Sequence, residues 1–302
     1  MANLRDLRLR MKAIRQTLQV TRAMNLISTS KLRKGRRSLE DTLPFFTRIQ
    51  EIMCDILYGA GNVQSLFLDK ENTSAADESS EKSGRRSAII VITSDKGLAG
   101  GYNANIIHEV NALSKKVSNP VLILIGSVGY RHFINSPYLT VENFSFMSKL
   151  PNMDNAHEIA EYIIAQYQWG IFDEVYVVYT HMYSAVKLLP AVKHILPLNE
   201  AAFQEENIKS SQRKKTELNF EYHPSEEDVF DALVPMYING VIYGCLIEAY
   251  ASEHSARMAA MDEASKNAEE MLSSMQLLYN RKRQESITQE MTEIVSGSSG
   301  LK

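Results

Sequence analysis

What the chain lacks is informative first in its last third. From Val241 to Val295 there is no proline, and the single glycine is Gly244. Fifty-five residues with no proline and one glycine span roughly 80 Å as a helix, against about 30 Å for a domain of ordinary size. Such a helix cannot be buried by its own domain, so it pairs with a second helix, enters a partner, or both. Cysteine is also scarce. Cys54 and Cys245 have no metal or redox spacing, fall in helical stretches and read as free buried thiols in a reducing compartment. No run of residues approaches the ~18 consecutive apolar positions of a membrane span. The N-terminus has no apolar h-region of a secretory signal. Its first forty residues are Arg-rich and acid-poor like a transit peptide, but their apolar stripe runs from Leu4 onward and reads as mature structure.

Catalytic and cofactor signatures are missing as well. No Gly-Lys pair occurs anywhere, which excludes a P-loop, and the Gly-x-Gly-x-x-Gly fingerprint is absent. None of the seven histidines forms a His-Glu-x-x-His pattern or pairs with cysteine at ligand spacing. There is no Gly-x-Ser-x-Gly elbow. His157 and His254 read as surface or packing residues, and Glu269-Glu270 as a solvated helix face. The chain offers no catalytic set and no metal site.

What is present begins with a second long helix. Residues 3 to 43 read as uninterrupted, with Leu4, Leu7, Met11, Ile14 and Leu18 at the three-and-four spacing of a coiled-coil seam. The C-terminal stretch repeats that spacing with Met261, Ala264, Ala268, Met271, Met275 and Leu278. Two such helices at opposite termini predict an antiparallel coiled coil. The seam turns polar at Thr21, Asn25 and Ser28 and at Lys282 and Glu285, more than a strict zipper tolerates. Charge is asymmetric: residues 1 to 40 carry eleven basic and two acidic side chains, net +9, while the whole chain is −3. A basic rod implies an acidic partner. Nucleic acid is not expected, because the basic stretch has no aromatic residue to stack on bases.

The middle of the chain has a different character. Ser87 to Ser94, Pro120 to Gly126 and Asp173 to Thr180 are continuous apolar runs of strand length, the habit of strands buried on both faces of a parallel sheet. Helical stretches fall between them at Asn103 to Lys116, Val128 to Phe133 and Asn155 to Trp169, the last opened by an Asn155–Glu158 capping pair. Lys187 to Leu198, with Pro190 and Pro197, reads as an edge strand. A weak strand is expected at Glu217 to Tyr222, and Pro224-Ser225-Glu226 opens the last helix, with a kink at Pro235. The fold class is α/β: a long antiparallel coiled coil of the N- and C-terminal helices plus a central Rossmann-like βαβ domain. The segments are a helix at 1–60, a linker at 61–86, the α/β domain at 87–198, a polar loop or weak strand at 199–224 and the final helix at 225–302.

Two features invite partners. The loop from Ser94 to Asn103 (SDKGLAGGYN) follows a strand and precedes a helix, where phosphate loops sit, but its glycines at 97, 100 and 101 have the wrong spacing. It reads as a tight turn with Asp95 and Lys96 exposed for a contact. Near the C-terminus, Ile287, Met291, Ile294 and Val295 form an apolar stripe that nothing in the chain covers. Such a stripe is an aggregation hazard unless a partner encloses it.

These segments carry a recognisable pattern. Arg15 to Arg36 (RQTLQVTRAMNLISTSKLRKGR), the loop Ser94 to Asn103, and Ser255 to Met261 (SARMAAM) through Asn267-Ala-Glu269 to Arg283–Glu290 (RQESITQE) resemble the gamma subunit of F-type ATP synthases over essentially the whole chain. Ala99 stands where many members have cysteine, and 199–217 lack the cysteine-bearing insertion of the photosynthetic regulatory form, so thiol regulation is not implied. With no transit peptide, a bacterial enzyme is implied.

The resemblance implies a central rotor shaft with no chemistry of its own. It implies one copy per complex, inside a ring of alpha and beta subunits, with the epsilon subunit and the membrane c ring at its foot. Ion flow turns the stalk, and rotation drives the catalytic sites in turn. ATP, ADP and Mg are expected on partner subunits, and no cofactor on this chain. The expected location is peripheral, on the cytoplasmic face of the bacterial plasma membrane. Carried over residue by residue, Arg22, Met24 and Arg257 face acidic parts of the catalytic subunits. Arg283, Gln284 and Thr288 hydrogen-bond a catalytic-subunit loop. Ile287, Met291 and Ile294 sit in an apolar bearing. Lys31, Arg33, Lys34 and Arg36 lie low, near the foot and c ring. Two other readings stay open on the residues alone: a nucleotide-dependent enzyme built on the central domain, and a free-standing coiled-coil scaffold.

Overall fold

A computed structural model of the chain describes residues 4–59, 63–68, 84–144, 149–184, 187–199 and 222–299. Most of the expected linker at 61–86 lies outside them, as does the expected weak strand at 217–222 apart from Tyr222, which is not in a strand. The chain divides into two compact units, one of Ser30–Ala256 and one of Met1–Thr29 with Arg257–Lys302. Two helices contribute to both, α1 (Leu4–Gly59) and the last helix, α5 (Glu226–Ser299).

The Ser30–Ala256 unit is built on a five-stranded sheet. Its strands are β1 (Ser87–Ile92), β2 (Val121–Ile125), β3 (Leu139–Phe144), β4 (Glu174–Met182) and β5 (Leu188–Leu196). Between them run α2 (Tyr102–Ser114), α3 (Ser127–Phe133) and α4 (Met153–Gln168). The order is β3-β2-β1-β4-β5, parallel except for β5, which pairs antiparallel with β4. Continuous apolar runs form these central strands because both faces are covered. Ile89, Val91, Leu122, Leu124 and Val178 face Ile106 and Val110 of α2 and Phe133 of α3. Alternate residues Ala88, Ile90, Ile123 and Val177 join the larger core of Ile159 and Ile163 from α4 with Met53, Ile56, Phe230, Val234, Ile238, Ile242 and Leu246. β5 is the edge strand expected from its prolines, with Pro190 opposite Thr180. The Tyr183 N–H donates to the Lys187 carbonyl, so by alternation Thr180–Pro190 is a non-hydrogen-bonded pair, and the missing N–H is on the open side of the edge strand.

Several local expectations are corrected. β3 was not legible: Leu-Thr-Val-Glu-Asn-Phe is an edge strand that lacks the apolar continuity of its neighbours. α4 starts earlier than expected. Its N-cap is Asn152, whose Oδ1 accepts the Asn155 N–H at 2.9 Å while Asn155 Oδ1 accepts the Asn152 N–H at 3.2 Å. Asn155 therefore closes the capping box from its far side and does not open the helix. α5 begins where Ser225 indicated: Ser225 Oγ accepts the Asp228 N–H at 3.0 Å and donates to the Asp228 carboxylate at 2.7 Å. α1 extends to Gly59, past Pro44, and α5 runs through Pro235. Tertiary packing outweighs the roughly 3 kcal/mol a helical proline costs. A stretch of α5 also has the length and mean hydropathy of a membrane span, although it has no unbroken apolar run; half of that window is buried in the protein.

α1 and α5 approach closely inside this unit. A Cβ on Gly240 would sit 2.1 Å from Phe46 Cδ1, and one on Gly35 would sit 3.3 Å from Tyr250 Cδ1. Ser38 and Tyr243 hydroxyls meet at 2.8 Å.

The other unit is a helix pair. Arg8 bonds Tyr279, Thr21 bonds Ser265 and Asn25 bonds the Met258 carbonyl. Partner numbers fall along α5 as they rise along α1, so the pair is antiparallel, as expected. Within this unit the buried positions of α1 are Leu7, Met11, Leu18, Thr21 and Ser28. On α5 the seam is corrected. Met261, Ser265 and Ala268 are buried and Leu272, Met275 and Tyr279 half-buried, whereas Met271 and Leu278 are exposed. Met261, Ala268 and Met275 hold, but the expected Ala264, Met271 and Leu278 each fall one residue before the observed Ser265, Leu272 and Tyr279, because Ser265 and Tyr279 are seam residues that an apolar template skips.

Candidate functional site

The glycine-rich loop is closed on itself. The Ser94 hydroxyl donates to the Lys96 carbonyl at 2.7 Å and accepts from Asn103 Nδ2 at 2.8 Å, and the Ser94 N–H donates to Asn103 Oδ1 at 3.0 Å. Gly100 has φ of 57°, the left-handed turn expected of it. Asp95 is a correction. Its Oδ1 accepts the backbone N–H of Ser127 at 3.0 Å and the Ser127 hydroxyl at 3.1 Å. The carboxylate is used at the start of α3, where it meets the positive end of a helix, and is not a bare surface contact. Lys96 is exposed, as expected. Among the described residues, no group of His, Cys, Asp and Glu is arranged to hold a metal ion.

The far end of α5 is the most open part of the helix-pair unit. Arg8 meets Tyr279 there through a hydrogen bond and a cation–π contact. Beyond it, Arg283, Gln284 and Thr288 are exposed. Ile287, Met291 and Ile294 are 48, 62 and 68% exposed, and their spacing puts them on one helix face. The backbone here is supported by helix-surface pairs: Arg281 and Lys282 reach Glu285, Ser286 reaches Glu290 and Gln289 reaches Glu293. The Lys282 ammonium, with help from Arg281, holds the Glu285 carboxyl below its usual value. The tip is therefore a polar-laced helix carrying an uncovered apolar stripe.

The remaining sites are dispersed. Arg22 is exposed and pairs with Glu269 across the helix pair. That contact is worth at most about 1 kcal/mol in solvent, which leaves the guanidinium open to competition from another acid. Met24 is half-buried nearby. Arg257 departs from expectation: it is 7% exposed and offers little surface to a partner. In the other unit, Arg33, Lys34 and Arg36 are exposed. Lys31 is half-buried with its ammonium 5.9 Å from the Tyr250 ring centre, a cation–π contact, and Arg36 donates to Met182 Sδ at 3.2 Å. Tyr102, Glu248 and Ser252 were not singled out from the sequence, since their partners lie 66 to 147 residues away.

An ATP synthase family model matches residues 3–301. The ATP synthase gamma chain of Acetivibrio thermocellus is 41% identical over 303 residues, covering 100% of both chains. The gamma chain of Ruminiclostridium cellulolyticum is 42% identical over 307 residues, covering 99% of each. The chain belongs to the gamma-subunit family of F-type ATP synthases. The sodium-ion-specific ATP synthase gamma chain of Acetobacterium woodii is a further relative, 35% identical over 311 residues. In fold, the chain is similar to a chain in the OSCP/F1/c-ring structure of the Euglena gracilis mitochondrial ATP synthase in rotational state 3 (TM-score 0.63, 16% identity, 99% of this chain and 94% of that one). It is also similar to one in the Tetrahymena thermophila central stalk and c ring (TM-score 0.58, 24% identity, 82% and 99%). A gamma subunit is a stalk component of a membrane-associated ATP synthase and not its catalytic subunit.

Proposed function

We propose that this chain is the central rotor shaft of an F-type ATP synthase, coupling ion flow through a membrane c ring to ATP synthesis and hydrolysis in the catalytic ring by rotation. The observation that carries the reading is the full-length gamma-family match together with an α5 tip whose apolar stripe is uncovered. A rotating shaft needs a tip that slides in an apolar sleeve, and a seam that does not lock the sleeve to it. Its work is coupling free energy: the orientation of one asymmetric element biases each catalytic site in turn, and binding at those sites biases the orientation equally.

In this reading one copy serves each complex. Alpha and beta subunits surround the helix pair, and the epsilon subunit and c ring meet the α/β unit. ATP, ADP and Mg bind the partner subunits and no cofactor binds this chain. The complex sits on the cytoplasmic face of the plasma membrane. Ile287, Met291 and Ile294 run in the apolar sleeve, Arg283, Gln284 and Thr288 hydrogen-bond a loop of the catalytic ring, and Arg22 and Met24 face its acidic parts. Arg33, Lys34 and Arg36 are the basic contacts toward the foot, with Lys31 beside them. The test is reconstitution of the catalytic-ring subunits with and without this chain, scored for ATP hydrolysis and for rotation of a bead on the α/β unit. Stepwise rotation that requires the chain is the expected result. A ring that assembles and cycles equally well without it, with no turning bead, overturns the reading in favour of a scaffold.

A further inference from the structure

The strand order places a topological switch between β1 and β4: the chain leaves β1 toward β2 and β3, then returns on the other side as β4. In doubly wound sheets the crevice outside the strand carboxyl ends at such a switch is where a ligand binds. Here the chain's own helix occupies that place. On the β1 side, the Tyr102 hydroxyl donates to the Ala249 carbonyl of α5 at 3.1 Å, and Ala256 packs against the cluster that holds Ala99 and Tyr102. On the β4 side, the Ser252 hydroxyl donates to the Thr180 carbonyl at 3.0 Å, and the Met182 N–H donates to Glu248 Oε1 at 3.1 Å. That carboxylate oxygen is also 2.6 Å from His181 Nδ1. Glu248, Ser252 and Ala256 recur every four residues, so a single stripe of α5 faces the strand ends.

The chemistry of this contact differs from that of the core beneath it. Apolar packing is non-directional and resists separation more than it resists turning of a helix about its own axis. Hydroxyl-to-carbonyl bonds are directional. The two made by Tyr102 and Ser252 are buried, where losing a partner costs more than at a wet surface. They fix the rotational setting of α5 from both sides of the switch.

We propose that the switch-point crevice is a torque joint, in which Tyr102 and Ser252 are positioning residues that hold α5 at a fixed angle on the α/β unit. The joint rests on the rotor reading above. The test uses the assembled complex with its catalytic ring fixed to a surface. A bead is attached through Lys115→Cys on the exposed end of α2, the native thiols Cys54 and Cys245 being buried. With the rotor stalled, the bead's angular distribution is recorded for the wild-type chain and for Tyr102→Phe/Ser252→Ala. Tyr102→Phe keeps the ring in its cluster, and Ser252→Ala changes little volume, so folding is preserved; Tyr102→Phe alone serves if the pair lowers the unfolding midpoint. The angular variance is expected to rise roughly twofold on loss of the directional bonds, with the rate of ATP hydrolysis unchanged. Ser252→Thr, which keeps a hydroxyl, restores the wild-type width beside an intact Tyr102. A variance equal to wild type in the double variant overturns the joint. A wild-type bead that never turns on ATP sinks the rotor reading and the joint with it, whereas a turning bead with unchanged variance sinks only the joint.

Discussion

α5 is one helix that solves two packing problems. Within the Ser30–Ala256 unit its inward face is apolar from Phe230 to Leu246, with Phe230, Val234, Ile238, Ile242 and Leu246 buried against α1 and the sheet. Within the helix-pair unit the inward row is Met261, Ser265, Ala268, Leu272, Met275 and Tyr279, and only the first three are buried. The first arrangement buries large side chains at about 25 cal/mol per Å². The second relies on a narrow seam in which hydroxyls pair with hydroxyls. Stability is thus concentrated in the unit that must keep its shape, and exposure in the unit whose partners must supply the rest of its contacts.

The largest effect should come from the sheet end of that contrast. Gly126 has φ of 96°, and a Cβ there would lie 2.2 Å from the Thr93 carbonyl oxygen. That neighbour is backbone directly after the central strand β1, held by its own bond to Ile125, and cannot readily yield. Gly126→Ala should destabilise the α/β unit by about 3 kcal/mol or more, combining left-handed strain with overpacking. Urea unfolding followed by tyrosine and tryptophan fluorescence measures it. A cost below that of any seam substitution would erase the distinction between the two units.

Next is Gly240, where the clash is with the Phe46 side chain and not with backbone. Gly240→Ala gains helix propensity of about 1 kcal/mol and meets an overpacking cost of about 1–3 kcal/mol, for a net loss smaller than at Gly126. Adding Phe46→Leu should recover part of that loss, because contacting residues couple non-additively. If the double variant is merely the sum of the singles, the close α1–α5 approach is not what fixes glycine at this position.

How much of this was readable in the sequence follows from the reach of each interaction. The central strands declared themselves because Ile89 to Ile92 and Val121 to Ile125 are buried on both faces and so are apolar at every position. β3 is an edge, with Leu139 and Val141 exposed, and its composition reports no burial. The helix pair was legible from its three-and-four spacing. Its register was not, since Ser265 is buried through bonds to Thr21 and to its own turn, a reason invisible to an apolar template. At the candidate site, the apolar tip was legible because nothing else in the chain competes for it. Asp95 was misjudged because its partner, Ser127, lies 32 residues on and becomes a neighbour only when β1 and β2 pair.

A smaller effect, confined to alkaline pH, separates the core from the seam by chemistry. Burial pushes the Cys245 thiol from 9.0 up to about 12. The folded state therefore keeps the proton that the unfolded chain gives up. The associated stability is fully present below pH 9.0 and is lost as pH rises toward about 12. By pH 10 the loss should be about 1 kcal/mol relative to pH 8. Comparing denaturant midpoints of wild type and Cys245→Ala across pH 8–10 isolates it: the wild-type curve should fall more steeply. Parallel curves would show that the thiol ionises as easily folded as unfolded. Below that, Thr21→Val with Ser265→Ala should change stability by no more than about 0.5 kcal/mol, since removing both partners of a buried bond is nearly neutral. A loss of several kcal/mol on thermal unfolding would mean that the polar pair holds the seam together.

At the tip the two measures part company. Arg283 and Gln284 are exposed on the helix surface beyond Tyr279. Substitutions at such positions stay within about 0.5 kcal/mol, so Arg283→Ala/Gln284→Ala should melt with the wild type. Yet these side chains are proposed to meet the catalytic ring. A guanidinium hydrogen bond to a loop of the ring is worth more between surfaces that exclude water than the same group is worth in solvent. Reconstituted complexes carrying the double variant should therefore hydrolyse ATP more slowly and rotate with longer pauses, at an unchanged melting temperature of the chain. Wild-type turnover would remove these two residues from the coupling surface and leave the apolar stripe as the tip's contact. Impaired turnover together with a lowered melting temperature would instead show that the tip is stabilised from within, and the division between a self-sufficient α/β unit and a partner-dependent helix pair would have to be redrawn.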